Sequence, residues 1–186
     1  MRMDEQELVQ RVQEGDEMAF AAIVRNYKDK IVNYLYRLTG DYQKAVELAQ
    51  ETFIRVYFKA NKYKPFAPFS SWVYAIASNL AKTELKKSRR FQVVSLDSLE
   101  GNHKSIAFSD NPSDPVLSKK ILKVLNSLPP RYRIPVVLKD VEGFSQEEIA
   151  QVLRKPVGTI KARISRGRDF LKKELRKVLG ENEFSL

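Results

Sequence analysis

The side chains of this chain that could do chemistry are cations and aromatic rings, and no set of catalytic groups accompanies them. Its 186 residues contain no Cys and a single histidine, His103. The sequence shows neither a glycine-rich phosphate loop nor a cluster of carboxylates spaced as metal ligands. We therefore expect neither an enzyme nor a site for a metal or cofactor, and the absence of cysteine suits a reducing cytosol.

Aromatic rings and cations alternate between Tyr63 and Arg90 in a pattern typical of single-stranded nucleic-acid binding. Rings offer surfaces on which bases stack, and cations follow the phosphate backbone. Large apolar rings are more often buried, so Trp72 in particular could belong to a core instead. The candidate contacts lie in a proline-containing loop and on the helix that follows it: Phe66, Phe69, Trp72, Asn79, Lys86, Lys87, Arg89 and Arg90.

A second pattern, which begins at Phe144, predicts a helix-turn-helix. Ser145 and Glu148 form the S-x-x-E signature of a capping box, the helix it starts ends by Arg154, and Pro156 stands where a long basic helix begins. The second helix of such a pair lies in the DNA major groove. A basic helix that is merely solvated is the alternative. The candidate DNA contacts are Thr159, Lys161, Ala162, Arg163, Ser165 and Arg166.

Apolar residues recur at helical spacing through most of the chain, so these segments must be positioned by an all-α fold. Asp16 and Gly40 are expected to start and stop one long helix, and Ser70 or Ser71 to cap another. The expected buried faces are Ala19, Phe20, Ile23, Val24, Tyr27, Ile31, Tyr34, Leu35 and Leu38; Ala45, Leu48, Ala49, Thr52, Phe53, Val56 and Tyr57; Ile149, Ala150, Val152 and Leu153; and Ile160, Ile164, Leu171, Leu175 and Val178.

The distribution of charge divides the chain into three parts. Residues 1–92 carry a net charge of +5, residues 93–115 of −3 and residues 116–186 of +8, within a total of +10. The middle part is rich in Ser, Asp, Asn and Pro and lacks helical periodicity, which predicts a flexible acidic linker between two basic domains. An ordered loop on a single domain is the alternative.

The basic balance indicates a polyanionic partner, either nucleic acid or an anionic membrane surface. A basic surface without a ligand is the alternative. No apolar run approaches the roughly 20 residues that span a bilayer, and the charged N-terminus does not resemble a signal peptide. We expect a cytoplasmic protein that does not insert into a membrane.

Three segments of the chain resemble the extracytoplasmic-function (group IV) sigma factors of bacterial RNA polymerase. LAQETFIRVY (48–57) is similar to the family's core-polymerase-binding helix, and FSSWVYAIASNLAKTEL (69–85) to its promoter-melting segment. The stretch from 128 to 175 is similar to the module that reads the −35 promoter element. The resemblance implies two small helical domains, a region 2 bundle (1–92) and a region 4 helix-turn-helix (116–186).

The resemblance also implies partners and residue roles. It implies binding to core RNA polymerase through Glu47, Gln50, Glu51 and Arg55, and to the −10 element, as an opened strand, through the aromatic and basic contacts given above. Lys161, Ala162 and Ser165 match family positions that approach bases of the duplex −35 element. An anti-sigma factor is a further implied partner, whereas the promoter, the regulon and the inducing signal are not implied.

The chain departs from the family pattern in several places. Lys44 and Val46 stand where acidic residues are frequent, Ala75 where Arg is common, and Arg154 and Lys155 where the turn usually offers Gly, Asn or Asp. The remaining rival is a helix-turn-helix operator-binding regulator that acts without polymerase. Such a regulator would account for residues 116–186 but not for the aromatic and basic segment at 63–90.

Overall fold

The computed structural model describes residues 5–94 and 115–179, and all the regular structure in these two ranges is helical. This agrees with the expected all-α class. The elements are α1 (Glu5–Gln13), α2 (Glu17–Thr39), α3 (Tyr42–Lys59), a 3₁₀ turn (Ala60–Lys62), α4 (Phe69–Val94), α5 (Pro115–Ser127), α6 (Pro130–Asp140), α7 (Gln146–Leu153) and α8 (Val157–Leu179).

The ends of α2 are the ones that the sequence predicts. The Asp16 carboxylate accepts hydrogen bonds from the backbone amides of Met18 (2.8 Å) and Ala19 (3.0 Å), two of the amides that a helix start leaves without a backbone partner. The bond from Ala19 and the Arg11 guanidinium together lower the pKa of Asp16. At the other end Gly40 adopts a left-handed conformation, with φ of 73°.

The N-terminal domain is a bundle in which α2 packs against α1, α3 and α4. Its core contains most of the predicted apolar faces of α2 and α3, with Phe20 and Val24 partly buried at its edge. Helical spacing places Tyr57 on the buried face, but its side chain lies partly exposed on the outer side of α3, so this prediction is wrong. The Tyr34 hydroxyl, fully inside the bundle, hydrogen bonds to Ser78 on α4 at 2.6 Å.

The C-terminal domain is built by α6, α7 and α8, with α5 against α8. Ile149, Val152, Ile160 and Ile164 are buried as predicted. Towards the end of α8 the prediction fails in part, because Leu171 and Leu175 are only half-buried and Val178 is exposed.

The two domains pack against each other, which the sequence does not indicate. Helix α4 contacts α7, and α2 contacts both α5 and α6. Helix α4 continues through Val94 and α5 begins at Pro115, so the first two residues and the last residue of the predicted linker are helical. The rest of that linker, with His103, lies outside the described residues, and its flexibility stays a prediction.

Candidate nucleic-acid and polymerase interfaces

The turn between α7 and α8 sets the direction of the predicted DNA-reading helix. The capping box is present: the Glu148 amide donates to Ser145 Oγ at 3.1 Å, and the Ser145 amide donates to Glu148 Oε2 at 2.7 Å. Helix α7 ends at Leu153 and is capped by Arg154, whose φ of 51° and ψ of 53° are left-handed. The Pro156 carbonyl then accepts from the Thr159 and Ile160 amides at the start of α8.

The outer face of α8 carries the predicted DNA contacts. Lys161, Ala162, Ser165 and Arg166 are exposed, and Thr159 and Arg163 are half-buried at its edge. Ile160 and Ile164, on the opposite side, anchor the helix in the core. The arrangement is therefore a rigid helix with small and cationic side chains directed to solvent.

Helix α6 contributes two side chains beside this face that the sequence analysis missed. Arg131 lies with its guanidinium carbon 4.7 Å from the centroid of the Tyr132 ring. These two residues, with Thr159, Arg163 and Arg166, line an open groove of about 450 Å³. The sequence signal for Arg131 is its place directly after the Pro129–Pro130 pair, because proline is favoured at the first position of a helix and so places this cation in the first turn.

The loop before α4 separates the predicted stacking rings into two groups. Phe66 is 89% exposed, whereas Phe69 is 3% exposed and Trp72 is half-buried. The centroid of the Tyr63 ring lies 5.3 Å from that of Phe69 and 5.5 Å from that of Trp72. The Tyr63 hydroxyl donates a hydrogen bond to the Ala67 carbonyl at 2.8 Å. The burial of Phe69 argues against its predicted stacking on a base, and the ring cluster instead holds the loop.

The start of α4 also differs from the prediction. The helix begins at Phe69, so Ser70 and Ser71 lie inside its first turn and neither is the residue before it. Ser71 is buried, and its hydroxyl is the one buried side-chain polar atom without a hydrogen bond within the described residues.

Further along α4, the predicted polar contacts are exposed. The side chains of Asn79, Lys86 and Lys87 are exposed. Asn79 lies in the middle of the helix, where its backbone carbonyl accepts a hydrogen bond from the Thr83 hydroxyl at 3.0 Å. Asn79 is therefore not a turn cap. Arg89 and Arg90 are also on α4, but their side chains lie outside the described residues.

The outer face of α3 combines ionic and apolar side chains. Glu47 and Gln50 are exposed, and Glu51 and Arg55 are half-buried. Arg55 Nε lies 2.7 Å from Glu51 Oε1, and Lys44 Nζ lies 2.6 Å from Glu47 Oε2. The next turn presents three apolar side chains that the sequence analysis did not assign to this face. They are Ile54, Tyr57 and Phe58, of which Phe58 is 79% exposed.

Comparisons with known proteins agree with this arrangement of segments. Residues 23–91 match the family model described as Sigma-70 region 2, and residues 118–171 match Sigma-70, region 4. The chain is 37% identical over 185 residues to the ECF RNA polymerase sigma factor SigW of Bacillus subtilis, a match that covers 95% of this chain and 99% of the relative.

The chain belongs to the extracytoplasmic-function family of RNA polymerase sigma factors. This sigma factor is also 35% identical over 187 residues to the RNA polymerase sigma-H factor of Pseudomonas aeruginosa, covering 95% of this chain and 96% of that protein. It binds core RNA polymerase and directs promoter-specific initiation of transcription. The rival regulator is not better supported, because the region 2 match falls on the part of the chain that such a regulator would not explain.

Solved structures share the fold of this sigma factor. The sigma factor RpoE of Bartonella quintana, in complex with the anti-sigma factor NepR, has a TM-score of 0.70 and 24% identity over 84% of this chain and 96% of that one. CnrH, in complex with the cytosolic domain of CnrY, has a TM-score of 0.69 and 19% identity over 93% and 97% of the two chains. Among the described helices, none combines the length and apolarity that a membrane span requires.

Proposed function

We propose that this sigma factor divides its contacts among three surfaces: α3 binds the polymerase, α4 with its preceding loop holds the opened −10 strand, and α8 reads the duplex −35 element. The observation that carries the proposal is that, among the side chains that the structure describes, the predicted polar contacts lie on the outside or at the edge of each helix, while the apolar side of the same helix forms the core. Each surface is thus available to a macromolecule without unfolding.

At the −35 surface, the small side chains of Ala162 and Ser165 allow the backbone of α8 to come close to the floor of the major groove. Lys161, exposed one turn before Ser165, can donate to base edges. Arg163 and Arg166 lie towards α6, where Arg131 adds a third guanidinium. We assign these three to phosphates, which position the helix without reading sequence.

At the −10 surface, Phe66 supplies a ring for an unstacked base and Asn79 supplies both a donor and an acceptor for a base edge. Lys86 and Lys87 follow on α4 and are placed to hold phosphates of the same strand. Phe69 and Trp72 act indirectly, because their contacts with Tyr63 fix the loop that carries Phe66.

At the polymerase surface, Ile54 follows the Glu51 carboxylate by one turn of α3, and Phe58 follows Ile54 by one more. Exposed apolar side chains next to polar ones are typical of a surface that another protein covers. We therefore extend the predicted patch of Glu47, Gln50, Glu51 and Arg55 by these apolar residues.

Three further properties follow from the family. An anti-sigma factor restrains the protein, as the complexes of RpoE and CnrH suggest. The protein works in the cytoplasm because its polymerase partner does. It acts as an initiation factor without catalysing a reaction itself.

Run-off transcription with core polymerase over a library of promoters tests the whole proposal. We expect specific transcripts only when the sigma factor is present, and no tight binding of the isolated protein to duplex DNA. Tight, sequence-specific binding without polymerase would favour the operator-binding regulator.

The polymerase surface is tested by Glu51→Lys, which reverses a charge on α3 and places it beside Arg55. The control is Asp29→Lys, an equal reversal at an exposed position of α2. We expect only the first variant to weaken binding in a titration against core polymerase, with the helix content of both unchanged. Equal affinity of the two variants would remove α3 from the interface.

A further inference from the structure

We propose that Gln13, at the end of the first helix, is a positioning residue for the capture of the opened −10 strand. It holds the backbone of the loop that presents the exposed ring of Phe66. The inference rests on the proposed assignment of this loop to the −10 surface. Helix α1 (Glu5–Gln13) lies outside residues 23–91, the part of the chain that matches Sigma-70 region 2, and that match gives it no role.

The side-chain amide of Gln13 binds the backbone at the point where α3 passes into the loop. Its Nε2 lies 2.9 Å from the Ala60 carbonyl oxygen and 3.3 Å from the Tyr63 carbonyl oxygen. An amide nitrogen carries two hydrogens, so each carbonyl can accept one of them. The Tyr63 amide also donates to the Ala60 carbonyl, at 3.0 Å. Gln13 thus joins the two ends of the 3₁₀ turn, and we call it, with its two carbonyl acceptors, the loop anchor.

The loop anchor is fixed because α1 is packed into the bundle. Leu8, Val9 and Val12 are buried in the core of the N-terminal domain. At the other end of α1, Glu5 accepts a hydrogen bond from the Tyr27 hydroxyl on α2. A side chain on a helix that is held in this way cannot follow a moving loop, so it restrains the loop relative to the core.

Tyr63 extends this restraint to the rest of the loop. Its ring contacts the rings of Phe69 and Trp72 in the first turn of α4. Its hydroxyl donates to the Ala67 carbonyl on the far side of the loop at 2.8 Å. The backbone of Tyr63 is therefore held by Gln13, while its side chain holds the segment that returns to α4.

Phe66 depends on this backbone because its own side chain is 89% exposed. Its amide donates to the Lys64 carbonyl at 2.8 Å, which makes a tight turn within the loop. A ring that packing does not hold takes its position from the backbone that carries it. A base that stacks on a mobile ring must also order the loop, and this ordering weakens binding. In an anchored loop the ordering has already occurred on folding.

The single tryptophan of the chain reports the loop anchor without DNA. Trp72 is half-buried and lies against the Tyr63 ring, so acrylamide quenching of its fluorescence measures how closely the loop packs on it. We expect Gln13→Ala to increase the quenching of the free full chain. The matched control is Gln10→Ala, which removes an exposed side chain of the same type from the same helix and should leave quenching unchanged. Wild-type quenching of Gln13→Ala would overturn the loop anchor.

Promoter opening then measures the consequence, with a fluorescent base in the −10 element and the sigma factor bound to core polymerase. We expect Gln13→Ala to lower the equilibrium constant for opening roughly 3- to 10-fold, the usual factor for ordering one more side chain on binding. Gln13→Glu keeps the shape of the side chain but directs acceptors at both carbonyls, and it should lower the constant further. Gln10→Ala and Gln10→Glu should open the promoter like the wild type. Normal opening by Gln13→Ala or Gln13→Glu, while Phe66→Ala is impaired, would overturn the proposal.

A double variant separates positioning from a general support of the domain. If Gln13 acts through Phe66, Gln13→Ala should reduce opening in the wild type but add little to the loss in Phe66→Ala. A full additional loss would overturn the positioning role. If Phe66→Ala itself opens the promoter normally, the −10 assignment of the loop fails and Gln13 loses that role with it. The quenching result distinguishes this outcome, because it shows whether the loop anchor exists without reference to DNA.

Discussion

The two proposed DNA-binding surfaces of this sigma factor differ in where their key side chains lie relative to the core. On α8 the predicted contacts are all exposed or at the edge, and two isoleucines suffice to anchor the helix. In the loop and first turn of α4, the predicted rings divide instead: Phe66 faces solvent, Phe69 is buried, and Trp72 lies between.

This difference follows from the cost of burial for each type of side chain. Burying an unpaired charge costs several kcal/mol, roughly, so a run of cations on a helix identifies its solvent side. Burial of an aromatic ring is favourable, but an exposed ring can serve as a surface on which a base stacks. The residue type alone therefore does not decide whether the ring is buried or exposed. The solvent-exposed side of α8 could therefore be predicted residue by residue, whereas in the loop and first turn of α4 the exposed rings could be predicted only as a segment.

The comparison is tested most strongly by replacing the two phenylalanines separately. Phe69→Ala should lower the free energy of unfolding by about 3–5 kcal/mol, the usual loss for a buried ring. Phe66→Ala should leave stability nearly unchanged but impair promoter opening, measured with a fluorescent base in the −10 element. Equal stability losses would show that Phe66 also belongs to the core, and normal opening by Phe66→Ala would remove it from the −10 surface.

The second prediction concerns the backbone that supports the −35 surface. A Cβ at Gly167 would lie 2.6 Å from Cγ2 of Val136, so α6 and α8 approach too closely there for a side chain. Gly167→Val should destabilise the C-terminal domain by about 1–3 kcal/mol through overpacking and lower −35 binding with it. Gly158→Ala is the control on the same helix, because a Cβ there meets nothing within 4 Å. It should unfold at the same or a higher denaturant concentration than the wild type.

The third prediction distinguishes base recognition from phosphate binding on α8. Lys161→Ala should cost about 1–3 kcal/mol of −35 binding by the holoenzyme and relax the preference at one base pair. Arg166→Ala should weaken binding to all sequences and reduce the slope of log affinity against log salt by about one. Affinities over a set of single-base promoter variants at several salt concentrations measure both. The same sequence-independent loss for both variants would contradict the division.

Local signals predicted the elements well, because they depend on residues close in sequence. The Asp16 cap, the Gly40 stop and the Ser145–Glu148 capping box are all formed as expected. The exposed Tyr57 was misplaced because helical spacing indicates only which residues share a face, and here part of that face is proposed to bind another protein.

The contacts between the domains could not be predicted in the same way. Glu142 pairs with Arg37 across 105 residues, and Arg133 reaches Leu38 across 95. Charged side chains are ordinarily solvated, and burial becomes tolerable only when folding brings a distant partner to them. No spacing rule contains that information.

The smallest predicted effect concerns the turns that end α2 and α7, which use the same backbone conformation with different residues. Gly40 adopts φ of 73° without a side chain, whereas Arg154 is the one non-glycine residue with positive φ in the described ranges. The left-handed conformation costs an ordinary residue about 1–2 kcal/mol, while glycine loses roughly 0.5–1 kcal/mol through the entropy of the unfolded chain.

Arg154→Gly should therefore stabilise the C-terminal domain by up to about 1 kcal/mol, since its exposed side chain has no core contact to lose. Gly40→Ala should act in the opposite sense, because its new Cβ would also lie 3.1 Å from Cγ of Asn126. Urea unfolding of both variants measures the difference, and a less stable Arg154→Gly would mean that the arginine side chain supports the turn by more than the strain it causes.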